Sequence, residues 1–285
     1  MSIVILLLPA LAWGLLPLAV TKLGGQPLNQ IFGTAVGTAL ASLILLLFQR
    51  PQLNLQTALL AALAGGFWII GQLGQYQGYQ KIGVSKTMPI STGLQLAGTA
   101  LIGVILFGEW PTPTAKIIGA LGILILIIGV ILTAVRSTNA KNKQQGQRQT
   151  IIMLVLTTFG YLIYNTIPRA LSSSGLNIFL PESIGMLLTV LIYTLITRQP
   201  KILAEKASWA NVIGGLIFSV AAITYILSVR LHGVNTAFII SQLSVVISTL
   251  GGIALLGEHK ARLEVITTLS GLCLIVFGAI ITTIF

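Results

Sequence analysis

The sequence predicts an all-α integral membrane protein in which ten transmembrane helices form two inverted five-helix repeats. Three observations predict this fold class. The chain of 285 residues is 55% hydrophobic and 7% charged, whereas a soluble domain carries roughly 25% charged residues. Apolar segments of about 20 residues, the length that crosses a bilayer, fill nearly the whole chain. The same short motifs also recur in its two halves, 149 or 150 residues apart.

Ten segments between prolines, glycines, asparagines and charged residues are long enough to span the membrane. We predict spans at residues 2–20, 29–48, 56–79, 84–107, 114–135, 149–168, 180–197, 209–229, 234–256 and 263–284. The first segment is expected to be a retained span rather than a cleaved signal peptide. No lysine or arginine precedes it, and the apolar pattern resumes at Ile31.

The polar residues 136–149 divide the chain into a first repeat, residues 1–135, and a second, residues 150–285. The matching pairs include Gly65-Gly66 with Gly214-Gly215, Gly83-Val84 with Gly233-Val234, and Gly108-Glu109 with Gly257-Glu258. Because five spans is an odd number, two tandem repeats must cross the membrane in opposite senses. Inverted repeats are typical of secondary transporters, which bind their substrate between the halves and alternate its access to the two sides.

The charge distribution predicts the orientation of the chain. In this topology 12 of the 16 lysines and arginines fall on one side of the membrane, together with the basic linker 136–149. The positive-inside rule places that side in the cytoplasm and both termini outside. The net charge of +11 is too dispersed to indicate nucleic-acid binding. The single cysteine, Cys273, excludes an intramolecular disulfide and a cysteine-based metal site, and we expect no cofactor.

Several segments carry a resemblance to a known family. They are Gly24-Gly25-Gln26-Pro27, residues 83–96, Gly108-Glu109-Trp110, Leu180-Pro181, Ser241-Gln242-Leu243 and residues 248–252. Together they resemble the bacterial glucose/ribose uptake proteins, a branch of the drug/metabolite transporter superfamily, over essentially the whole chain. The resemblance implies a plasma-membrane carrier that takes up a monosaccharide, ribose or glucose, with the proton gradient as its driving force. The implied partners are the sugar, the lipid bilayer and protons.

The third span offers polar and aromatic side chains suited to a sugar. These side chains form a stripe that runs along one side of an α-helix and consists, at i, i+4, i+7, i+8 and i+11, of Trp68, Gln72, Gln75, Tyr76 and Tyr79. Hydrogen-bonding groups are costly against lipid, so this stripe is expected to face other helices. It either binds the hydroxyls and C–H face of a sugar or joins neighbouring helices by hydrogen bonds. Both interpretations stay open.

Three further spans add polar side chains at helical spacing. These candidates for the substrate site are Ser91 and Gln95 on the fourth span, Tyr161 and Asn165 on the sixth, and Ser241 and Gln242 on the ninth. Because the fourth and ninth spans are repeat mates, we expect their polar faces to meet near the middle of the membrane. The serines can instead bond to the backbone of their own helix.

Energy coupling has one candidate residue. The chain has five acidic residues, and none lies in the middle of a span. Glu182, one turn into the seventh span, is the candidate for proton coupling, because an ionisable group within the membrane is typical of proton pathways. The alternative is that Glu182 interacts with the helix dipole. Facilitated diffusion without coupling also stays open.

Other classes of protein compete with a sugar carrier. A carrier or exporter of another small metabolite or drug would have the same fold. An enzyme is not expected, because the spans hold no cluster of His, Glu and Asp for acid–base or metal chemistry. A scaffold or sensor would show no solute flux.

Overall fold

The computed structural model describes residues 2–49, 53–135, 141–171 and 175–283. Within these ranges the chain is a bundle of α-helices with two short 3-10 segments, Gly175–Asn177 and Pro200–Ala204. Ten helical segments there are long and apolar enough to cross a membrane. The predicted all-α membrane fold with ten spans is therefore confirmed.

Twelve α-helices make up the ten spans of the described chain. They are α1 (Ser2–Leu23), α2 (Pro27–Phe48), α3 (Leu55–Ile82), α4 (Val84–Phe107), α5 (Pro113–Ala134), α6 (Lys141–Ala170), α7 (Phe179–Ile196), α8 (Lys206–Ala210), α9 (Val212–His232), α10 (Val234–Ser241), α11 (Leu243–Leu255) and α12 (Arg262–Thr283). The eighth span consists of α8 and α9, and the ninth consists of α10 and α11.

The helix boundaries match the predicted spans to within a few residues, with two informative differences. Helix α6 begins at Lys141, eight residues before the predicted span, because lysine and glutamine are good helix formers and need no apolar environment to form a helix. The ninth span is interrupted at Gln242, which separates α10 from α11. Its predicted repeat mate α4 continues without interruption.

Local side chains define several helix ends. The side chain of Asn54 accepts a hydrogen bond from the backbone N–H of Thr57 at 2.7 Å and caps the start of α3. Thr112 caps α5 in the same way, with a 3.1 Å bond from the backbone N–H of Ala115. Gly83 alone separates α3 from α4, and its φ of 85° is a conformation that favours glycine.

The helices contact one another in matching pairs. Helix α3 packs against α6 and α7, whereas α1 and α2 both pack against α9. Helix α4 contacts α6, and α1 contacts α11. If α1–α5 form one half and α6–α12 the other, these contacts form equivalent pairs. The α3–α6 contact corresponds to α1–α9, α3–α7 to α2–α9, and α4–α6 to α1–α11. This pattern is expected of halves related by a pseudo-two-fold axis, and the inverted relation itself stays a prediction.

Glycines allow the backbones of α3 and α7 to touch. A Cβ atom at Gly65 would overlap the backbone of Glu182, and one at Gly185 would overlap the backbone of Ala62. Helices in lipid gain no hydrophobic energy from meeting each other, so such close packing is a main source of their association. The contact fixes the position of α3, which carries the predicted polar stripe.

We predict that Gly185→Leu destabilises the bundle. The added side chain has no space against α3, and forcing extra atoms into packed protein costs about 1–3 kcal/mol or more. Gly146→Leu is the matched control, because nothing lies within 4 Å of a Cβ at that position in α6. Thermal unfolding of the purified protein in detergent should show a lower Tm for Gly185→Leu alone. Equal Tm values for both variants would contradict the close contact.

Candidate functional site

A cavity of about 740 Å³ lies between α1, α3, α4, α6 and the helices α9–α12. Small-molecule sites commonly have volumes of about 300–1,000 Å³. Eight of the ten residues predicted for the substrate site line this cavity: Trp68, Gln72, Gln75, Gln95, Tyr161, Asn165, Ser241 and Gln242. The structure therefore brings together side chains from both predicted halves around one cavity.

Three glutamine side chains in the cavity are linked into a hydrogen-bonded network. The hydroxyl of Tyr161 donates to Oε1 of Gln72 at 2.8 Å, and the Gln72 amide donates to Oε1 of Gln75 at 3.4 Å. Nε2 of Gln75 donates to Oγ of Ser91 at 2.8 Å, and Nε2 of Gln95 donates to the same oxygen at 3.2 Å. These bonds hold the amide groups in defined orientations along one wall of the cavity.

Two of the ten predicted residues do not line the cavity. Tyr76 is fully buried, and its hydroxyl lies 2.8 Å from Oγ1 of Thr34 on α2. Tyr76 therefore joins two helices, which is the second of the two roles expected for the stripe. Ser91 lies behind the wall, where its hydroxyl accepts the bonds from Gln75 and Gln95. Ser91 can orient the two amides without touching a solute.

Aromatic rings form the other walls, and several of them were missed from the sequence. Trp68 lies against Phe218 with ring centroids 4.8 Å apart, and Trp13 lies against Tyr225 at 5.4 Å. At the offset of 149 residues that relates Gly65-Gly66 to Gly214-Gly215, Tyr225 matches Tyr76, whereas Phe218 lies one position beyond the match to Trp68. Flat rings of this kind can pack against the C–H face of a solute.

One end of the cavity is lined by exposed residues, and we call it the Arg169 end. The guanidinium of Arg169 forms an ion pair with Glu109 and lies 4.6 Å from the centroid of the Phe107 ring. Both charged side chains are 39% exposed, and Val234, at the start of α10, is 60% exposed. The ion pair joins the end of α4 to the end of α6 while leaving the cavity accessible from this end.

Part-buried contacts separate this cavity from a second one, of about 730 Å³, at the opposite end, which we call the Lys86 end. The Glu258 carboxylate accepts hydrogen bonds from the backbone N–H groups of Val84 at 2.6 Å and Ser85 at 2.9 Å. Lys86 forms an ion pair with Glu264 at 3.9 Å. Lys260 donates to Thr268 at 2.8 Å, and burial together with the nearby Lys86 lowers the pKa of Lys260 to about 8.

Glu182, the predicted coupling residue, is buried in the first turn of α7 and does not line the cavity. In the described part of the chain, no group of three or more His, Cys, Asp or Glu residues could hold a metal ion. The fold and its polar cavity define a multi-pass membrane protein with an internal site of solute size.

Comparisons with known proteins identify the family. The family profile described as "Sugar transport protein" matches residues 4–285. A "Putative sugar uptake protein" of Lactobacillus johnsonii is 48% identical, and the alignment covers 100% of both chains. "Glucose uptake protein GlcU" of Bacillus subtilis is 39% identical over 98% of this chain and 97% of that relative. A "Putative ribose uptake protein RbsU" of Staphylococcus epidermidis is 39% identical over 99% and 97%. The chain therefore belongs to the sugar transport protein family.

A solved crystal structure has the same fold. It superimposes with a TM-score of 0.63 over 99% of this chain and 96% of that chain, at 16% sequence identity. At this identity the similarity concerns the fold alone. The names of the sequence relatives indicate a transport protein rather than an enzyme.

We predict that Tyr76 and Thr34 stabilise the bundle through one shared hydrogen bond. Tyr76→Phe and Thr34→Val should each lower Tm, and the double variant should lose less than the sum of the two single losses. Hydrogen bonds between membrane helices show coupling energies that average about 0.6 kcal/mol. Strictly additive losses in this double-mutant cycle, measured as unfolding free energies, would contradict the bond.

Proposed function

We propose that the protein is a secondary transporter that takes up a monosaccharide, ribose or glucose, by alternating access. The observation that carries the proposal is the cavity itself, in which glutamine amides and aromatic rings face one space of about 740 Å³. A sugar presents hydroxyls, which need donors and acceptors, and C–H surfaces, which pack on flat rings. The names of the glucose and ribose uptake relatives support this class of substrate.

The amides of Gln72 and Gln95 are the proposed contacts for sugar hydroxyls. Among the described residues, no protein group donates a hydrogen bond to Oε1 of Gln95, so this acceptor remains for a solute. The Gln72 amide accepts from Tyr161 at 2.8 Å and donates to Gln75 over a long 3.4 Å bond, which a solute hydroxyl could replace. Trp68 and Trp13 supply the ring surfaces on either side.

The proposed orientation follows from charge. The positive-inside rule puts the Lys86 end in the cytoplasm, because most lysines and arginines fall on that side. The accessible Arg169 end then faces outward. The conformation described above is accordingly the outward-facing state of the proposed transport cycle.

The proposed role of Glu182 is proton coupling. Its carboxyl group is buried within a membrane span, and no lysine or arginine in the described chain forms an ion pair with it. A buried carboxyl without a basic partner can take up and release a proton as its surroundings change.

We predict that Gln72→Leu and Gln95→Leu weaken sugar binding. A sugar hydroxyl that loses its amide partner in a dry site costs about 1–3 kcal/mol, which corresponds to a roughly five- to hundredfold higher half-saturation constant. Uptake of radiolabelled ribose and glucose into proteoliposomes measures this constant. Gln80→Leu is the matched control, because Gln80 is exposed near the end of α3 and bonds to the Gly25 carbonyl.

The controls of this experiment separate the candidate functions. If both cavity variants retain the parental half-saturation constant, the sugar binds elsewhere. If the parent transports neither sugar but exchanges amino acids or aromatic cations, the protein is another type of carrier.

We predict that Glu182→Gln abolishes accumulation of sugar driven by an imposed pH gradient, while counterflow of sugar continues. Counterflow needs only alternating access, whereas accumulation also needs a titrating group on the proton path. Glu205→Gln is the control, since it removes a carboxylate from the exposed Glu205 outside the spans. Undiminished accumulation in Glu182→Gln would remove this residue from coupling, and equal loss of both activities would make it structural.

A further inference from the structure

We propose that Glu109 and Glu258 are two exchanging gates, which close opposite ends of the cavity by capping the first turns of α10 and α4. In the state described above, Glu258 caps α4 and closes the Lys86 end. In the opposite state, Glu109 leaves Arg169 and caps α10, and the Arg169 end closes. The inference rests on the proposed function only in requiring that the cavity opens alternately to two sides.

The two gates consist of the same parts. Gly108-Glu109 and Gly257-Glu258 follow α4 and α11, and both glycines have a φ of 67°. The backbone N–H of Glu109 donates to the Gly103 carbonyl at 3.1 Å. The N–H of Glu258 donates to the Gly252 carbonyl at 3.3 Å, in the same pattern. The two carboxylates therefore leave their helices in the same local geometry.

The starts of α4 and α10, to which the carboxylates are proposed to bind, have the same backbone geometry. Gly83 precedes α4 with φ 85° and ψ 162°, and Gly233 precedes α10 with φ 82° and ψ 160°. In both cases the first turn of a helix presents backbone N–H groups without partners in their own helix. Such groups, together with the helix dipole, attract a carboxylate.

One gate is engaged in the structure. Glu258 accepts from Val84 and Ser85 at 2.6 and 2.9 Å, and Val84 is completely buried. A Cβ at Gly83 would lie 2.8 Å from the Glu258 carboxyl carbon. The Glu258 carboxylate is therefore in direct contact with the segment that joins α3 to α4.

The other gate is disengaged, although its parts are present. Nothing lies within 4 Å of a Cβ at Gly233, and Val234 is 60% exposed and lines the cavity. Its carboxylate, Glu109, pairs with Arg169 instead. An engaged gate at one end and a disengaged copy at the other are what a single state of an alternating carrier should contain. Arg169 thus competes with α10 for Glu109.

The test measures accessibility of the two ends without any sugar. In a Cys273→Ser background, Val234→Cys reports on the Arg169 end and Ser85→Cys reports on the Lys86 end. Both positions contribute backbone rather than side-chain groups to the proposed caps. The rate of labelling by a hydrophilic thiol reagent is measured on the purified protein in detergent, where the reagent reaches both ends. The parent should label rapidly at Val234→Cys and slowly at Ser85→Cys.

Removing the engaged carboxylate should shift the protein to the opposite state. With Glu258→Gln we expect labelling of Ser85→Cys to become about 2- to 30-fold faster, the range for loss of a helix cap. Labelling of Val234→Cys should become slower at the same time. Glu205→Gln, which removes a carboxylate away from both gates, should leave both rates unchanged. No change with Glu258→Gln, or faster labelling at both reporters, would overturn the exchange.

A second variant makes the test specific for Glu109. Adding Glu109→Gln to Glu258→Gln should restore rapid labelling of Val234→Cys, because the carboxylate that protects α10 is then absent. Persistent protection in the double variant would overturn the role of Glu109. Glu109→Gln alone removes the ion pair with Arg169 as well as the proposed cap of α10. Ser85→Cys should stay slowly labelled in this variant, because Glu258 still caps α4.

The labelling and transport assays fail independently. A shift in labelling with no flux of ribose or glucose would retain the gates and reject the proposed substrate. Sugar flux in the parent with no reciprocal shift in labelling would retain the carrier and reject the gates.

Discussion

The structure depends on the requirement that helices in lipid satisfy their own backbone hydrogen bonds and associate through close contact. Glycines meet this requirement where α3 crosses α7, and Gly129 and Gly271 do the same where α5 crosses α12. Because the backbones touch, one helix cannot slide along another without a clash. Polar side chains such as Gln72 are consequently held at a fixed height within the bundle, with apolar side chains outside them.

The cavity is compatible with a membrane interior because its polar groups are largely paired with one another. Tyr161 supports Gln72, and Ser91 supports both Gln75 and Gln95. Each amide keeps part of its hydrogen-bonding capacity for water or a solute. A hydroxylated solute can form hydrogen bonds with these remaining amide groups. An apolar solute would leave them unpaired, at a cost of about 1–3 kcal/mol each.

Helical periodicity was sufficient to predict the spans and most of the cavity wall. It failed at Tyr76, which lies 100° around the helix from Gln75 and so faces α2 rather than the cavity. It gave no signal for Phe218 and Tyr225, which lie in an apolar span without a polar stripe. The Glu109–Arg169 ion pair joins residues 60 positions apart, and only the packing of α4 against α6 brings them together.

The interruption at Gln242 makes the two halves mechanically unequal. Helix α10 has 8 residues and is about 12 Å long, so a rotation of about 20° at Gln242 would displace its Val234 end, which Gly233 alone joins to α9, by about 4 Å. Helix α4, with 24 unbroken residues, must bend or move as a whole to achieve the same displacement. In the proposed alternating-access cycle, opening and closing the two ends would then involve different numbers of packed atoms, and the inward and outward half-cycles would have different activation barriers.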